Sequence, residues 1–341
     1  MRGAQCYKKI RGTNILNRCH AALAAATLAA VVASSLASPL HAQDYPTRPI
    51  AIIVPQPPGG GTDIITRIIS EPLTKELGQT IVVENKTGAG TVVGTVAAAQ
   101  AAPDGYTLVT GLNANMAVNP SLFKTLAYDP IRDFTPVGMM AEFPFVLVVN
   151  ADFPAHSVKE LIDMAKAKPG EINYASAGNG SGQHLSMELF KLMTGTNLTH
   201  VPYRGAAPAY TDVISGRTPV FIDNLSSALG QIKGGKVRAL GVTSTERSPL
   251  LPDVPTIAET VPGYQNYVWF GLWAPKKTPP AVIAKLHAAI EKSVADPSVQ
   301  ERIKKDAGVP MMTPLADIEP MVKKEIAKWA DVVKRANIQV Q

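Results

Sequence analysis

Residues 50–77, IAIIVPQPPGGGTDIITRIISEPLTKEL, contain the pattern that decides the fold. Ile50–Val54 is a short apolar run ended by Pro55, which is typical of a buried strand. Three glycines follow, and apolar residues then recur at positions 64, 65, 68, 69, 73 and 77, the spacing of a helix that buries one face. A strand joined to a helix by a short glycine-rich loop predicts a sheet with helices on its faces.

The same alternation continues along the chain. Further strands are predicted at residues 79–84, 107–110, 145–149, 172–175, 198–201, 220–222, 237–242 and 268–274. Helices are predicted at residues 91–101, 157–168, 183–193 and 208–215, and the tail from 280 to 338 predicts helices separated by prolines. This order favours parallel sheets, with the last strand returning to the first part of the fold.

The length and composition predict a globular chain with two lobes. The chain has 341 residues, of which 46% are hydrophobic and 18% charged, so disorder is excluded for most of it. The roughly 300 residues that follow the N-terminal segment exceed what one core usually organises. In such α/β lobes a ligand is expected at the carboxyl ends of the strands, where loops meet helix N-termini.

The first 42 residues have the pattern of a secretory signal peptide. Their charged residues are all basic: Arg2, Lys8, Lys9, Arg11 and Arg18. The apolar run at 21–36 would be roughly 24 Å long as a helix, which is short of the ~30 Å core of a bilayer. Cleavage is expected after Ala42 or, alternatively, after Ala37. An uncleaved membrane anchor is the competing interpretation.

Removing this segment changes what the net charge of +6 means. The remainder has 28 Lys and Arg residues, the 33 of the chain less those five, against 27 Asp and Glu residues, so no basic surface for nucleic acid is expected. Both cysteines, Cys6 and Cys19, lie in the same segment, so the mature chain has no thiol chemistry. Its four histidines have no zinc-binding spacing, and neither a metal nor a cofactor is predicted.

Two loops that follow strands have features of an anion site. Residues 55–63 combine three glycines with a helix start, whose free N–H groups and dipole favour a carboxylate or phosphate. Thr62 or Asp63 could cap that helix, and a tight turn without a ligand is the alternative. Residues 175–184 repeat the arrangement, with Ser176 and Ser181 as hydroxyl donors. Two such loops across a cleft predict a site for a small acid.

Other candidate residues leave alternatives open. Tyr203 offers a flat apolar ring with a hydroxyl at its end. The guanidinium of Arg204 could bind a ligand carboxylate or form an ion pair within the protein. Asp223 ends a predicted strand and could face the cleft, cap a helix or act at a hinge. Asn113 is a weaker candidate in a predicted loop at 111–116. His184 is either a ligand contact or, more simply, a helix-packing residue.

Motifs of enzymes do not fit the chain. Residues 230–237 have the spacing of a phosphate-binding P-loop, but Val237 stands where the magnesium ligand must be. Ser181 lacks the glycine that a nucleophile elbow needs two positions earlier, because Asn179 is there. A secreted hydrolase of small esters is therefore the less favoured alternative.

Six motifs in a fixed order carry a resemblance to a known family. They are Tyr45-Pro-x-Arg-Pro-Ile50, Pro57-Pro-Gly-Gly-x-x-Asp63, Ala102-Pro-Asp-Gly-Tyr106, Tyr174-Ala-Ser-x-Gly-x-Gly-Ser181, Val201-Pro-Tyr-Arg-Gly-x-x-Pro208 and Gly235-Lys-Val-Arg-Ala-Leu-Gly-Val-Thr243. This set resembles the Bug family, the extracytoplasmic solute receptors of tripartite tricarboxylate transporters, over about residues 45–337.

The resemblance implies an α/β, two-lobed periplasmic binding protein fold of type II-like form. Each lobe would be a sheet flanked by helices, with the ligand cleft between the lobes. The first lobe would contain residues 43–142 and 265–341, and the second residues 143–264. In the family the two loops hold a ligand carboxylate, partly through ordered waters, and an acidic residue stands at the strand end that Asp223 occupies here.

The loops and the resemblance together give one set of expected ligand-binding residues. These are Gln56, Pro58, Gly59, Gly60, Gly61, Thr62, Asp63, Asn113, Ser176, Ala177, Gly178, Asn179, Gly180, Ser181, Tyr203, Arg204 and Asp223. Trp269 and Phe270 lie near the expected lobe crossing and could contact the ligand or pack in the core.

The function that the resemblance implies is capture of an organic acid in the periplasm by hinged lobe closure. The partners would be a small and a large membrane permease subunit driven by an ion gradient, and the receptor itself is expected to be a monomer. A sensor that presents its ligand to a signalling kinase is the alternative. The sequence leaves the ligand open among tricarboxylates, dicarboxylates, aromatic acids and amino acids.

Overall fold

The computed structural model describes residues 45–338. The predicted signal peptide and its cleavage site lie outside these residues. The strands are β1 (Ile50–Val54), β2 (Ile81–Asn85), β3 (Thr107–Leu112), β4 (Phe134–Asn150), β5 (Asn173–Ser176), β6 (Thr199–Pro202), β7 (Val220–Asn224), β8 (Val237–Val242), β9 (Tyr267–Pro275) and β10 (Val309–Pro310).

The helices alternate with these strands. They are α1 (Gly61–Leu77), α2 (Val92–Ala99), α3 (Asn119–Leu122), α4 (Val158–Ala167), α5 (Gly182–Thr194), α6 (Ala206–Ile214), α7 (Leu225–Lys233), α8 (Pro280–Ala295), α9 (Pro297–Lys305) and α10 (Leu315–Arg335). A π-helical turn, Ala114–Val118, precedes α3. The α/β class and most element positions agree with the sequence pattern.

The first strand–helix unit forms as its spacing predicts, with a slightly longer helix. β1 has the predicted bounds, and α1 begins at Gly61, three residues before the first apolar position. The buried apolar residues of α1 include Ile65, Ile69 and Leu73, which lie on one face. The helix ends where Gly78 takes a left-handed conformation and its N–H donates to the Thr74 carbonyl.

The sheet is mixed, so the expectation of parallel sheets was only partly correct. The strands follow the hydrogen-bonded order β2-β1-β3-β9-β4-β7-β5-β6, and β8 and β10 pair with β4 off this path. The pairs β1–β2, β1–β3, β5–β6 and β5–β7 are parallel. However, β9 lies antiparallel between β3 and β4, and β7 and β8 are antiparallel to β4.

Strand β4 is much longer than predicted and joins two groups of strands. Its residues Phe134–Pro144 pair with β9, whereas Phe145–Val149 pair with β7. The sequence predicted only residues 145–149, because Pro136, Gly138 and Pro144 disfavour a strand. The register shifts at Pro136/Gly138 and again at Met139/Ala141, and these irregularities accommodate the unfavourable residues.

Thr243 ties the two chain segments that cross between the strand groups. Its hydroxyl accepts a hydrogen bond from the Phe145 N–H at 2.8 Å and donates to the Asn266 carbonyl at 2.6 Å. Thr243 is fully buried. The buried Thr243 hydroxyl both donates and accepts a hydrogen bond, and it thereby fixes the crossing segments relative to each other.

The helical segments that follow β3 and β7 were missed in the sequence. Helix α7 follows β7 directly, and the segment predicted as a loop at 111–116 is the end of β3 followed by the π-helical turn. The α7 sequence contains Gly230 and two serines, which weaken its helical signal. Tertiary contacts decide both segments: Leu225 and Ala228 of α7 are buried in the core.

Glycine at position 111 is required by close packing, and this gives a test of the fold. A Cβ atom at Gly111 would lie 2.3 Å from the buried Trp273 ring, whereas one at Gly230 in α7 would have no heavy atom within 4 Å. We expect Gly111→Ala to lower the free energy of unfolding by about 1–3 kcal/mol. Gly230→Ala should leave it unchanged or raise it by roughly 0.4–1 kcal/mol. Urea denaturation measures both, and equal stability of the two variants would contradict the packing argument.

Candidate functional site

A cavity of about 710 Å³ lies where three helices begin. The first residues of α1, α5 and α7 line it, represented by Thr62, Gln183 and Ser227. Each of these helices follows a strand, β1, β5 or β7, so the cavity lies at carboxyl ends of strands. Free N–H groups and helix dipoles give such a place a preference for negative charge.

The first loop is held by a buried carboxylate. Asp63 accepts a hydrogen bond from the Gly59 N–H at 2.9 Å and from the Asn85 amide at 3.0 Å, and it pairs with Arg67 at 3.0 Å. The Arg67 hydrogen bond is the main cause that lowers the pKa of Asp63 to about 2, against the opposing effect of burial. Asp63 thus stays ionised and fixes the glycine loop, while the hydroxyl of Thr62 donates to Gln56 beside the cavity.

The second loop is held by a reciprocal cap at the start of α5. The Ser181 hydroxyl accepts from the His184 N–H at 3.2 Å, and the His184 Nδ1 accepts from the Gly180 N–H at 3.1 Å. Gly180 has a left-handed φ of 72°, and a Cβ there would lie 2.8 Å from Leu122. Because the Ser181 hydroxyl only accepts in this contact, its proton remains available to donate into the cavity.

A stack of three rings, of which Tyr174 and His184 are buried and His200 is partly buried, lies next to this loop. The His184 and His200 ring centroids are 3.9 Å apart, and Tyr174 stacks on His200 at 4.9 Å. The His200 Nε2 is 2.6 Å from the Ser176 hydroxyl, at the beginning of the loop. Burial lowers the pKa of both histidines to about 4, so both rings are neutral near pH 7. The Gly180 contact then places the proton of His184 on Nε2, 3.9 Å from the Glu188 carboxylate.

Asp223 holds the start of α7, the third helix start at the cavity, against the start of α5. It is fully buried and accepts hydrogen bonds from the Gln183 amide at 3.1 Å and the Ser227 hydroxyl at 2.6 Å. Both partners line the cavity, whereas Asp223 itself does not. Its carboxylate therefore connects the starts of α5 and α7.

The cavity contains some of the residues expected from the sequence and not others. Those that line it are Gln56, Gly61, Thr62, Asn113, Gly180 and Ser181. Those outside its lining are Pro58, Gly59, Gly60, Asp63, Ser176, Ala177, Gly178, Asn179, Tyr203, Arg204 and Asp223. Arg204 is exposed, and the Tyr203 hydroxyl donates to Asp212 at 2.8 Å. Phe270 lines the cavity, and Trp269 lines a second, smaller one.

Several lining residues were not found by sequence reasoning. The polar ones are Gln183, Asn224, Ser226, Ser227, Asn266, Tyr267 and Asp306. Asn224 directly before the apolar residues at 225, 228 and 229 was a usable signal for a helix start. The apolar ones, such as Phe143 and Ile303, come from distant parts of the chain, and only the folded structure brings them together.

Residues 45–338 contain no group of three or more His, Cys, Asp or Glu side chains placed to hold a metal ion. Within the same residues, no helix is both long and apolar enough to cross a bilayer.

Comparisons with known proteins agree with this architecture. Protein BugT of Bordetella pertussis is 38% identical over 315 residues, which are 91% of this chain and 96% of that protein. The structure of periplasmic binding protein BugD is 36% identical, with a TM-score of 0.72, and the match covers 87% of this chain and 100% of that one. The structure of R. palustris Rpa4515 with adipate is 37% identical, with a TM-score of 0.75 and coverage of 86% and 99%.

The fold and its cavity define a periplasmic solute-binding protein, which confirms the predicted fold class. A model described as the tripartite tricarboxylate transporter family receptor matches residues 65–338. The chain belongs to this receptor family, and the resemblance to Bug proteins is confirmed. Receptors of this kind are not a class of enzyme.

The reciprocal cap at His184 gives a test of how the second loop is held. His184→Leu removes the acceptor for the Gly180 N–H, and we expect a loss of about 1–3 kcal/mol in stability because a partly buried donor is left without a partner. His184→Asn is the matched control, since its side-chain oxygen can occupy the Nδ1 position. Amide exchange of Gly180 should accelerate in the Leu variant and stay slow in the Asn variant. Equal exchange in all three proteins would show that the contact does not hold the loop.

The lowered pKa values of the two histidines predict a pH dependence of stability. Their pKa is about 4 in the folded chain, below the ordinary value of 6.5, so the unfolded chain takes up protons first as the pH falls. The neutral histidine pair therefore makes its full contribution to the free energy of unfolding above pH 6.5. This contribution is lost as the pH falls towards 4. Urea denaturation across this range should show a shallower pH slope for His184→Asn than for the wild type. An unchanged slope would contradict the assignment.

Proposed function

We propose that this protein captures a small organic carboxylate in the periplasm and delivers it to a membrane permease of the tripartite tricarboxylate type. The observation that carries the proposal is the convergence of three helix starts on one cavity. Membership of the receptor family supports it, as does the adipate bound to the related Rpa4515. The predicted signal peptide supports a periplasmic location.

The ligand contacts are proposed from the two loops and the start of α7. The Ser181 hydroxyl and the backbone N–H groups at the starts of α1, α5 and α7 would donate hydrogen bonds to the carboxylate. Gln56, Thr62 and Asn113 line the same space and would add polar contacts or hold water. Asp63 and Asp223 would act indirectly, because each holds residues that line the cavity.

Lobe closure is the proposed mechanism. Residues 43–142 with 265–341 would form one lobe and residues 143–264 the other, connected through β4 and the segment after Thr243. A ligand that contacts both α1 and α5 would favour the closed arrangement by its differential affinity. About 100-fold tighter binding to the closed state corresponds to roughly 2.7 kcal/mol, which a few charge-assisted hydrogen bonds can supply.

Thermal-shift screening against a library of organic acids tests the proposed function. A ligand at about 100 times its dissociation constant should stabilise the protein by roughly 2.7 kcal/mol. Ser181→Ala should weaken the affinity for that ligand by about fivefold to tenfold, measured by calorimetry, because one donor is lost. Ser215→Ala, at an exposed serine outside the cavity, is the control. Equal affinities of the two variants would reject the proposed site.

Delivery to a permease needs a separate test in cells. Deletion of the gene should abolish uptake of the identified acid, and the wild-type gene should restore it. Restoration by Ser181→Ala should be weaker at low external acid concentration. Uptake that is unaffected by the deletion would contradict the transport role while leaving acid binding intact.

A further inference from the structure

Asn266 lines the cavity with a buried oxygen that the protein itself does not pair. The residue is only 2% exposed and lies directly before β9, on one of the segments that cross between the two groups of strands. Its side-chain oxygen has no hydrogen-bond partner among residues 45–338. A buried acceptor without a partner lowers the stability of a fold, so its presence beside a cavity points to a role other than folding.

The backbone of Asn266 is held in place by Thr243. The Asn266 N–H donates to the Thr243 carbonyl at 3.1 Å, and the Asn266 carbonyl accepts from the Thr243 hydroxyl at 2.6 Å. These bonds fix the residue at the cavity but leave its side-chain oxygen unpaired. Rotation about the Cβ–Cγ bond, which is soft in asparagine, allows the amide to present this oxygen to a group in the cavity.

Other carboxamides of the lining already have partners in the chain. The Asn113 oxygen accepts from the Trp269 N–H at 2.9 Å. The Gln183 amide donates to Asp223 at 3.1 Å. The oxygen of Asn266 differs from these groups, because the partner left for it is a hydrogen-bond donor that enters the cavity.

We propose that Asn266 is a specificity-determining residue that accepts a hydrogen bond from a hydroxyl group of the ligand. The ligand is then a hydroxy acid, whatever the number of its carboxylates. A hydroxyl suits the site better than an ammonium group, which would lose its hydration beside a neutral amide, since the one charged residue of the lining, Asp306, is exposed. This inference rests on the proposed function, because it names a further contact of the acid in the same cavity.

Pairs of acids that differ by one hydroxyl test this contact by calorimetry. The pairs are malate with succinate, mandelate with phenylacetate, and citrate with tricarballylate. In a pair that the cavity accommodates, the hydroxy acid should bind roughly tenfold more tightly, because its hydroxyl pairs the free acceptor. Asn266→Leu, which has a similar size and no acceptor, should bind both members of that pair with the affinity of the plain acid.

The stability of the variants separates this role from a structural one. Because Asn266→Leu removes an unpaired buried oxygen, it should leave the urea midpoint unchanged or raise it. Asn150→Leu is the matched control, at a buried asparagine outside the cavity lining whose amide donates to the Val213 and Ile214 carbonyls at 3.0 and 2.8 Å. This control should lower the midpoint by roughly 0.5–1 M and keep the preference for the hydroxy acid.

The outcomes distinguish this inference from the proposed function. A hydroxyl preference that is lost in Asn266→Leu, without loss of stability, supports the inference. Equal affinities within every pair that binds, binding of acids without a hydroxyl only, or a loss of stability as large as that of Asn150→Leu would show that the inference is wrong although the protein is still an acid receptor. If no acid of the pairs or of the wider library binds, the inference and the proposed function fail together.

Discussion

The long strand β4 is the constraint on which the rest of the structure depends. Its first part pairs with β9 and its last part with β7 and β8, so one strand fixes both groups of strands. Nearly every backbone N–H and carbonyl of a buried strand must be paired, which leaves little freedom in this arrangement. Phe143 and Phe145 lie where β4 passes from one group to the other, and both line the cavity. The cavity is therefore located by the crossing itself.

Buried polar residues then shape the cavity without lining it. Asp63 holds the first loop through Gly59, His184 holds the second through Gly180, and Asp223 connects Gln183 to Ser227. Each of these groups would be costly to bury without hydrogen-bond partners, and each has them. Backbone amides and hydroxyls near them are held in place before a ligand arrives. Such preorganisation reduces the cost of ordering the site on binding.

The sequence predicted local elements well where the hydrophobic periodicity agrees with the residues that end helices and strands. Strands β1 and β8 have their predicted bounds, and α1 follows from its apolar spacing. Prediction was wrong where tertiary pairing overrides local preference, as in the proline-containing first part of β4. Among the site residues, the type of Arg204 suggested a carboxylate partner, yet the folded chain exposes it. A residue type shows what a side chain can do, but not where it is placed.

The sequence by itself determined the α/β class, the family and the positions of the loops that begin α1 and α5. It did so because hydrophobic period, glycine runs and ordered motifs are local properties of the chain. Only the tertiary structure decided that β9 lies antiparallel between β3 and β4, that α7 contributes a third helix start, and that phenylalanines of β4 and β9 line the cavity. These features depend on contacts between residues far apart in the chain, and no local pattern records them.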